Sequence, residues 1–344
     1  MRMDERKKRI LAAVIQDYIR TGEPVGSRTV ARRYNLGVSP ATIRNEMADL
    51  EELGLLEQPH TSAGRIPSDY GYRYFVDCLM APEELTPEEQ EYVRLRYNKK
   101  MMEIEQVLEE TAKIISQMTS YTAIALAPNQ NQGFLEQVEI VPIPLKSKAL
   151  LVAITSTGMV EHKTFNVPQD VTSEDLKRIS KFLNARLQGI AIEELCQEVL
   201  SDIYQELEGH REFFKGIIEL LRQTILIDGY EKIYLDGTLN ILSQPEFKDH
   251  ESLKRILTFL EQDAALRRIF GTTSSKGLTI KIGQENKEEC IDKCSVLTIS
   301  YSVEGKLMGK VGLLGPTRMQ YSRAVSVLQC VADSLSRVLQ KIYC

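Results

Sequence analysis

The segment Ser39-Pro-Ala-Thr-Ile-Arg-Asn-Glu-Met-Ala-Asp-Leu-Glu-Glu-Leu53 leaves the chain few choices of conformation. Ser39 can cap a helix, Pro40 suits its first turn, and Gly54 suits the left-handed residue that ends one. Ile43, Met47, Leu50 and Leu53 recur at helical spacing, which predicts one stripe facing a core. The opposite side carries Ala41, Asn45 and Ala48, flanked by Thr42 and Arg44. Small residues beside a few donors let a helix come close to a base-pair edge. Upstream, Ser27 to Tyr34 reads as a shorter helix with Val30, Ala31 and Tyr34 inward, and Asn35 to Val38 reads as a turn. The pattern is helix–turn–helix, with the second helix as the reader.

After Gly54 the pattern continues as a wing. Leu55 to Gln58 is strand-like, Pro59-His-Thr-Ser-Ala-Gly64 is a polar tip, and Arg65-Ile66 leads back to Pro67. A hydroxyl-rich tip bearing His60, Thr61, Ser62 and Arg65 suits phosphate or minor-groove contact. A first helix over 3–21, with Ile10, Leu11, Val14, Ile15 and Tyr18 on one stripe, completes a winged-helix domain. Two readings of Arg6, Lys7, Lys8 and Arg9 stand side by side: a solvated helix end, or phosphate contacts. A helix over 68–80 carries Tyr70, Tyr72, Tyr74 and Phe75, whose aromatic bodies suit core packing better than base stacking.

The totals exclude several classes. At 344 residues there is room for two or three domains, and the net charge of −5 argues against a general nucleic-acid coat protein. The first 80 residues are slightly basic and the remainder acidic, so DNA affinity has to come from local groups on the first domain. No apolar run approaches the roughly 20 residues of a membrane span. No apolar signal segment follows the basic N-terminus, so a cytoplasmic protein is expected. The six cysteines show no paired metal-ligand spacing, and Cys290 and Cys294 have no neighbouring histidine. No metal or cofactor is expected. Nucleophile-elbow, phosphate-loop and HExxH patterns are absent, and no enzyme is expected. Tyr234-Leu-Asp-Gly-Thr238 reads as a strand and turn.

Beyond Ala81-Pro82, Thr86, Pro87 and Glu89 form a capping box that opens a long helix to about Met118. Strand-like runs follow at 121–127, 135–142, 149–155 and 159–165, with Ser156-Thr157-Gly158 as a hairpin turn. From Thr172 the period becomes helical: 176–189, 192–203, 213–225 and 253–260. Strands return at 278–282, 295–302 and 306–313, with Glu304-Gly305 as a turn, and a last helix runs over 320–343. The expected fold class is α+β. A winged helix over 1–82 precedes a sheet domain over 83–171 and 266–344, interrupted by a mainly helical insertion over 172–265. The apolar residues on the insertion's helices exceed what one small sheet needs, which suggests that two chains meet there.

Four stretches carry a family resemblance: Pro-Val-Gly-Ser-Arg-Thr-Val (24–30), Val-Ser-Pro-Ala-Thr-Ile-Arg-Asn-Glu-Met (38–47), Leu-Glu-Glu-Leu-Gly-Leu-Leu (50–56) and His-Thr-Ser-Ala-Gly-Arg-Ile-Pro-Ser-Asp-Tyr-Gly-Tyr-Arg-Tyr-Phe-Val-Asp (60–77). They resemble the HrcA family of bacterial heat-inducible transcription repressors. The resemblance implies a GAF-like sheet domain and an inserted dimerising domain. It also implies a homodimer on an inverted-repeat (CIRCE) operator that silences the DnaK and GroE chaperone operons. The GroEL chaperonin is implied as a partner that brings the repressor to its active fold. On this reading Asn45 suits adenine and Arg44 guanine at base edges. Ser39 and Thr42 hold phosphates near the helix N-terminus. Ala41 and Ala48 permit close approach, and His60, Thr61, Ser62 and Arg65 act on the wing. The rival class is a regulator whose GAF-like domain binds a small effector.

Overall fold

The computed structural model describes residues 3–60, 63–97, 103–127, 134–143, 147–156, 160–192, 211–222, 232–271, 277–304 and 306–343. The chain divides into two compact units. The first comprises 1–101, 106–125 and 233–338, the second 102–105, 126–232 and 339–344.

In the first unit, Asp4 caps α1 (Glu5–Thr21) by accepting the Lys7 N–H. Helices α2 (Ser27–Arg33) and α3 (Pro40–Glu52) follow. Ile10, Leu11, Val14, Ile15, Val30, Ile43, Met47 and Leu50 are buried, as their spacing predicts. Leu53 departs from the expected stripe and is more than a third exposed. The helix ends at Glu52, and the Leu55 N–H turns back onto the Leu50 carbonyl. Leu55 and Leu56 therefore take the buried positions that Leu53 would have filled.

The wing is an antiparallel pair, β1 (Leu56–Glu57) and β2 (Ile66–Pro67), extended by a bridge between Val25 and Arg65. It leads to α4 (Asp69–Tyr74), which continues as one wider turn over Phe75–Leu79. Tyr72 and Phe75 are buried here, in keeping with core packing, whereas Tyr70 is exposed.

Where one long helix is expected after Pro87, two are described, α5 (Pro87–Tyr97) and α6 (Ile104–Thr119). The capping box at Thr86 and Glu89 forms in both directions. Tyr97 and Thr111 hydroxyls, 2.7 Å apart, tie the two helices together, as does the Arg96–Glu110 ion pair. A five-stranded sheet is ordered β7-β3-β10-β9-β8. Its strands are β3 (Thr122–Leu126), β7 (Ile233–Asp236), β8 (Leu278–Ile282), β9 (Cys294–Val303) and β10 (Lys306–Pro316). The β3–β10, β10–β9 and β9–β8 pairs are antiparallel. Helices α9 (His250–Leu260) and α10 (Asp263–Gly271) precede β8, and α11 (Tyr321–Tyr343) lies along the sheet, its Ser336 hydroxyl accepting the Ser302 N–H.

The second unit holds its own antiparallel sheet, β4 (Leu135–Ile143), β5 (Lys148–Thr155) and β6 (Val160–Asn166). Helix α7 (Ser173–Leu187) is fastened to β4 by side chains. Asn184 both accepts the Val138 N–H and donates to the Val138 carbonyl, each at 2.7 Å, and Ser180 accepts the Ile140 N–H. The core joins Val138, Ile140, Leu151 and Ala153 to Leu176, Ile179 and Leu183, with Ile217, Ile218 and Leu221 from α8 (Arg211–Arg222).

The grouping of elements therefore differs from the expected borders. β4–β6, expected in the first part of the larger sheet, form a separate sheet with α7 and α8. Helices α9 and α10 fall in the first unit, although the insertion was expected to extend to 265. The interruption of the five-stranded sheet runs from the end of β3 to the start of β7. Period-two patterning reveals a strand but not the sheet it joins, because pairing partners are set by tertiary approach. The expected helix over 192–203 lies, beyond Ile192, outside the described residues. So does the hairpin turn at Thr157-Gly158.

Candidate nucleic-acid interface

Helix α3 is set up by its first residues. The Ser39 hydroxyl accepts the Thr42 N–H at 3.1 Å and lies 3.0 Å from the Thr42 hydroxyl, and Pro40 occupies the first turn. This cap satisfies one of the free N–H groups of the helix start. Pro40 has no N–H to satisfy and the Ile43 N–H bonds the Ser39 carbonyl at 3.0 Å, so within the helix itself only the Ala41 N–H is left over, beside two hydroxyls. At the other end Gly54 adopts φ 72°, the left-handed conformation predicted for it.

Burial along α3 separates two sides. Ile43, Met47 and Leu50 are buried, Ala41, Arg44 and Asn45 are exposed, and Thr42 and Ala48 lie between. The predicted reading residues thus share the side left open by the core.

Four acids on the same helix would repel phosphate, and three of them are neutralised from within the domain. Glu46 is paired with Arg6 at 3.5 Å and Lys7 at 2.9 Å, Asp49 with Lys7 at 2.9 Å, and Glu51 with Arg65 at 2.8 Å. Lys7 is held well above its ordinary value by the Asp49 and Glu46 carboxylates, so it stays charged. These pairs place Arg6 and Lys7 of the basic cluster against the reading helix, and Lys8 pairs with Glu5. Arg9 is exposed.

The wing residues separate into distinct cases. His60 is exposed at the start of the tip, and Thr61 and Ser62 lie outside the described residues. Arg65 is largely covered. Its backbone pairs with Val25 and its guanidinium with Glu51, so in this structure it fastens the wing to α3.

Two cations on α2 were not singled out from the sequence. Arg28 and Arg32 are exposed, and among the described residues neither forms an ion pair. Their neighbour Arg33 is instead spent on buried Asp17, which also takes Arg20, both at 2.6 Å. The signal for Arg28 and Arg32 was available: they lie on the helix that crosses the backbone in a helix–turn–helix, without an acid nearby in sequence.

The arrangement offers a helix face with one guanidinium, one amide, two hydroxyls and small residues, and with the exposed Glu52 at its far end. It suits a duplex groove and its phosphates. Among the described residues no cluster of His, Cys, Asp and Glu is suited to a metal ion, and no helix is long and apolar enough to cross a membrane.

Comparison with known proteins agrees with this geometry. Residues 2–75 match the family described as "Winged helix-turn-helix transcription repressor, HrcA DNA-binding", and residues 105–325 match "HrcA protein C terminal domain". The heat-inducible transcription repressor HrcA of Moorella thermoacetica is 70% identical over 343 residues, covering 100% of both chains. That of Desulforamulus reducens is 47% identical, covering 99% of both. A solved structure described as a hypothetical protein shares the fold with a TM-score of 0.66 at 23% identity, over 99% of this chain and 100% of that one. On these matches the chain belongs to the HrcA family of heat-inducible transcription repressors.

Proposed function

We propose that two copies of this chain bind an inverted-repeat DNA operator, each inserting α3 into a major groove, and thereby repress chaperone genes in the cytoplasm. The observation that carries this reading is the exposed side of α3. It bears Ala41, Arg44 and Asn45, while Glu46, Asp49 and Glu51 are each held by a cation of the same domain. Arg44 suits guanine and Asn45 adenine. Ala41 and Ala48 allow close approach, Ser39 and Thr42 take phosphate, and His60, Thr61 and Ser62 extend the contact along the wing. Arg28 and Arg32 add phosphate contacts from α2. No catalysis is assigned.

Self-association has support in the second unit. The outer side of the β4–β6 sheet leaves Val141 and Val160 about half exposed, with Leu150, Val152 and Ile154 only partly covered between them. A run of apolar side chains on a sheet face asks for a partner. A two-fold pair would match a palindromic site. The GroEL chaperonin is proposed as the folding helper whose supply sets the active fraction.

The test is binding of the full chain to an inverted-repeat duplex and to a scrambled duplex at moderate salt, with and without chaperonin. Arg44→Ala or Asn45→Ala should lose roughly 1–3 kcal/mol on the repeat and little on scrambled DNA. Equal weakening on both would reduce these side chains to phosphate holders. Equal binding of the two duplexes by the unaltered chain, chaperonin supplied, would overturn the reading.

A further inference from the structure

Within the first unit, the winged helix is fastened to the sheet body by charged groups that DNA recognition leaves unused. Arg73 on α4 grips Glu285 with two prongs, Nε to Oε1 at 2.9 Å and Nη2 to Oε2 at 2.6 Å. Its Nη2 also donates to the Ile280 carbonyl at 2.6 Å, and its Nη1 to Asp77 at 3.0 Å. Glu285 is itself fixed, because Oε2 accepts the Ile282 N–H at 2.9 Å. Beside it, Asp69 accepts the Gln284 N–H at 3.1 Å, in a space that a Cβ on Gly283 would fill.

A second attachment lies at Arg318, in the loop between β10 and α11. It donates to the Ile19 carbonyl in the last turn of α1 at 2.7 Å and to Glu246 at 2.6 Å. The rings of Tyr72 and Tyr321 pack 5.9 Å apart across the same contact.

A single exposed ion pair contributes little to stability. A two-pronged guanidinium–carboxylate pair with a further backbone acceptor does something else: it fixes an angle as well as a distance. A reader on a loose tether would need neither attachment. We propose that Arg73 is a positioning residue for operator recognition. With Glu285 it sets the angle at which the winged helix leaves the sheet body, and so the separation of half-sites that a pair of copies can bridge. This rests on the reading of a dimer on an inverted repeat.

The consequence is geometric. Each base pair added between half-sites moves one of them by about 3.4 Å and turns it by about 35°. A locked reader tolerates one spacing, whereas a reader pivoting about the Arg318 attachment alone tolerates several.

The test measures full-chain binding to a series of duplexes whose half-sites are unchanged while the spacer is lengthened or shortened by one and two base pairs. The unaltered chain should lose about tenfold in affinity for each base pair away from its preferred spacing. Arg73→Met and Glu285→Gln cut the clamp from opposite sides and touch no DNA-facing residue. Both should flatten the profile, weakening the preferred spacing while losing much less at its neighbours. A purely structural role would lower the whole curve and keep its shape. Variants with a profile as sharp as the unaltered chain's would overturn the inference and leave the proposed function standing. An unaltered chain indifferent to the repeat at every spacing would overturn both.

Discussion

Helices α3 and α4 belong to one small domain, and each is capped by a serine, yet the two hydroxyls serve opposite ends. Ser39 is exposed and its hydroxyl is tied only to Thr42 of its own helix. Ser68 is buried, accepts the Gly71 N–H at 3.0 Å and donates to the Gly54 carbonyl at 2.6 Å. Beyond the caps the contrast continues. Arg44 and Asn45 on α3 face solvent, while Asp69, Tyr72 and Arg73 on α4 are all committed to the sheet body. One helix is kept free for a ligand, the other is a joint. The cap residue therefore says where a helix begins and nothing about what the helix is for.

The sharpest way to break that contrast is at the glycines flanking the wing. A Cβ on Gly71 would overlap the Leu55 carbonyl oxygen, and backbone cannot swing aside as a side-chain tip can. Gly71→Ala should cost about 3 kcal/mol, the upper range for overpacking. Gly54 at the end of α3 has φ 72° but open space around it, so Gly54→Ala meets only the left-handed penalty of about 1 kcal/mol. Thermal unfolding of both variants decides the matter. A Gly54→Ala variant as unstable as Gly71→Ala would mean that α4 packs no more tightly on the wing than the end of α3 does on its surroundings.

The serines give a smaller and more discriminating pair. Removing the Ser68 hydroxyl strands the buried Gly71 N–H and frees the Gly54 carbonyl, at about 2 kcal/mol of stability. Removing the Ser39 hydroxyl loses an exposed cap worth about 1 kcal/mol. The two should differ in kind as well. Ser39→Ala should weaken operator binding at temperatures where the protein is fully folded, and Ser68→Ala should not. Melting curves beside binding isotherms at one low temperature separate the effects. Equal loss of binding in both would erase the distinction between reader and joint.

What could be read from the sequence divides along the same line. Ser39, Pro40 and Gly54 announce α3 because caps and turns are local, and Ile43, Met47 and Leu50 announce its buried side by period alone. The wing, the Thr86 capping box and nearly every strand of both sheets were legible for the same reason. The ion pairs were not. Arg65 reads as a wing contact, and Arg6 and Lys7 read equally as a solvated helix end or phosphate contacts. That Arg65 meets Glu51 at 2.8 Å, and that Arg6 and Lys7 meet Glu46, emerges only where the elements pack. Arg73 and Glu285 stand 212 positions apart. No spacing rule links them, because only the packing of the winged helix on the sheet body brings them together. The partition of β3 from β4–β6 was hidden likewise, since each strand carries the same alternation whichever sheet it joins.

The smallest effect expected at the joint is its response to acid. Burial works against the charge of Glu285, but Arg73 and the Ile282 N–H outweigh it and hold the carboxyl below its ordinary value. A group lowered in the folded state adds stability above its unfolded value and loses it as pH falls through the folded one. The contribution of Glu285 is therefore full at neutral pH and fades below about pH 4.5. Asp69, four residues before Arg73 and on the same contact, has the opposite sign. Its burial, with the charges of Glu285 and Asp292, outweighs the Gln284 N–H and holds it above its ordinary value. It opposes the folded state as pH rises, so a simple acid titration of the whole protein would blur the two. The difference in unfolding free energy between the unaltered chain and Glu285→Gln cancels the part of the Asp69 shift that comes from burial. Because Glu285 is more than a third exposed, that difference should stay below about 1 kcal/mol at pH 7. It should shrink toward zero as the pH is lowered to 3. A difference that grew with acid would mean that Glu285 is buried without adequate compensation, and α4 would be a strained contact where the geometry describes a settled one.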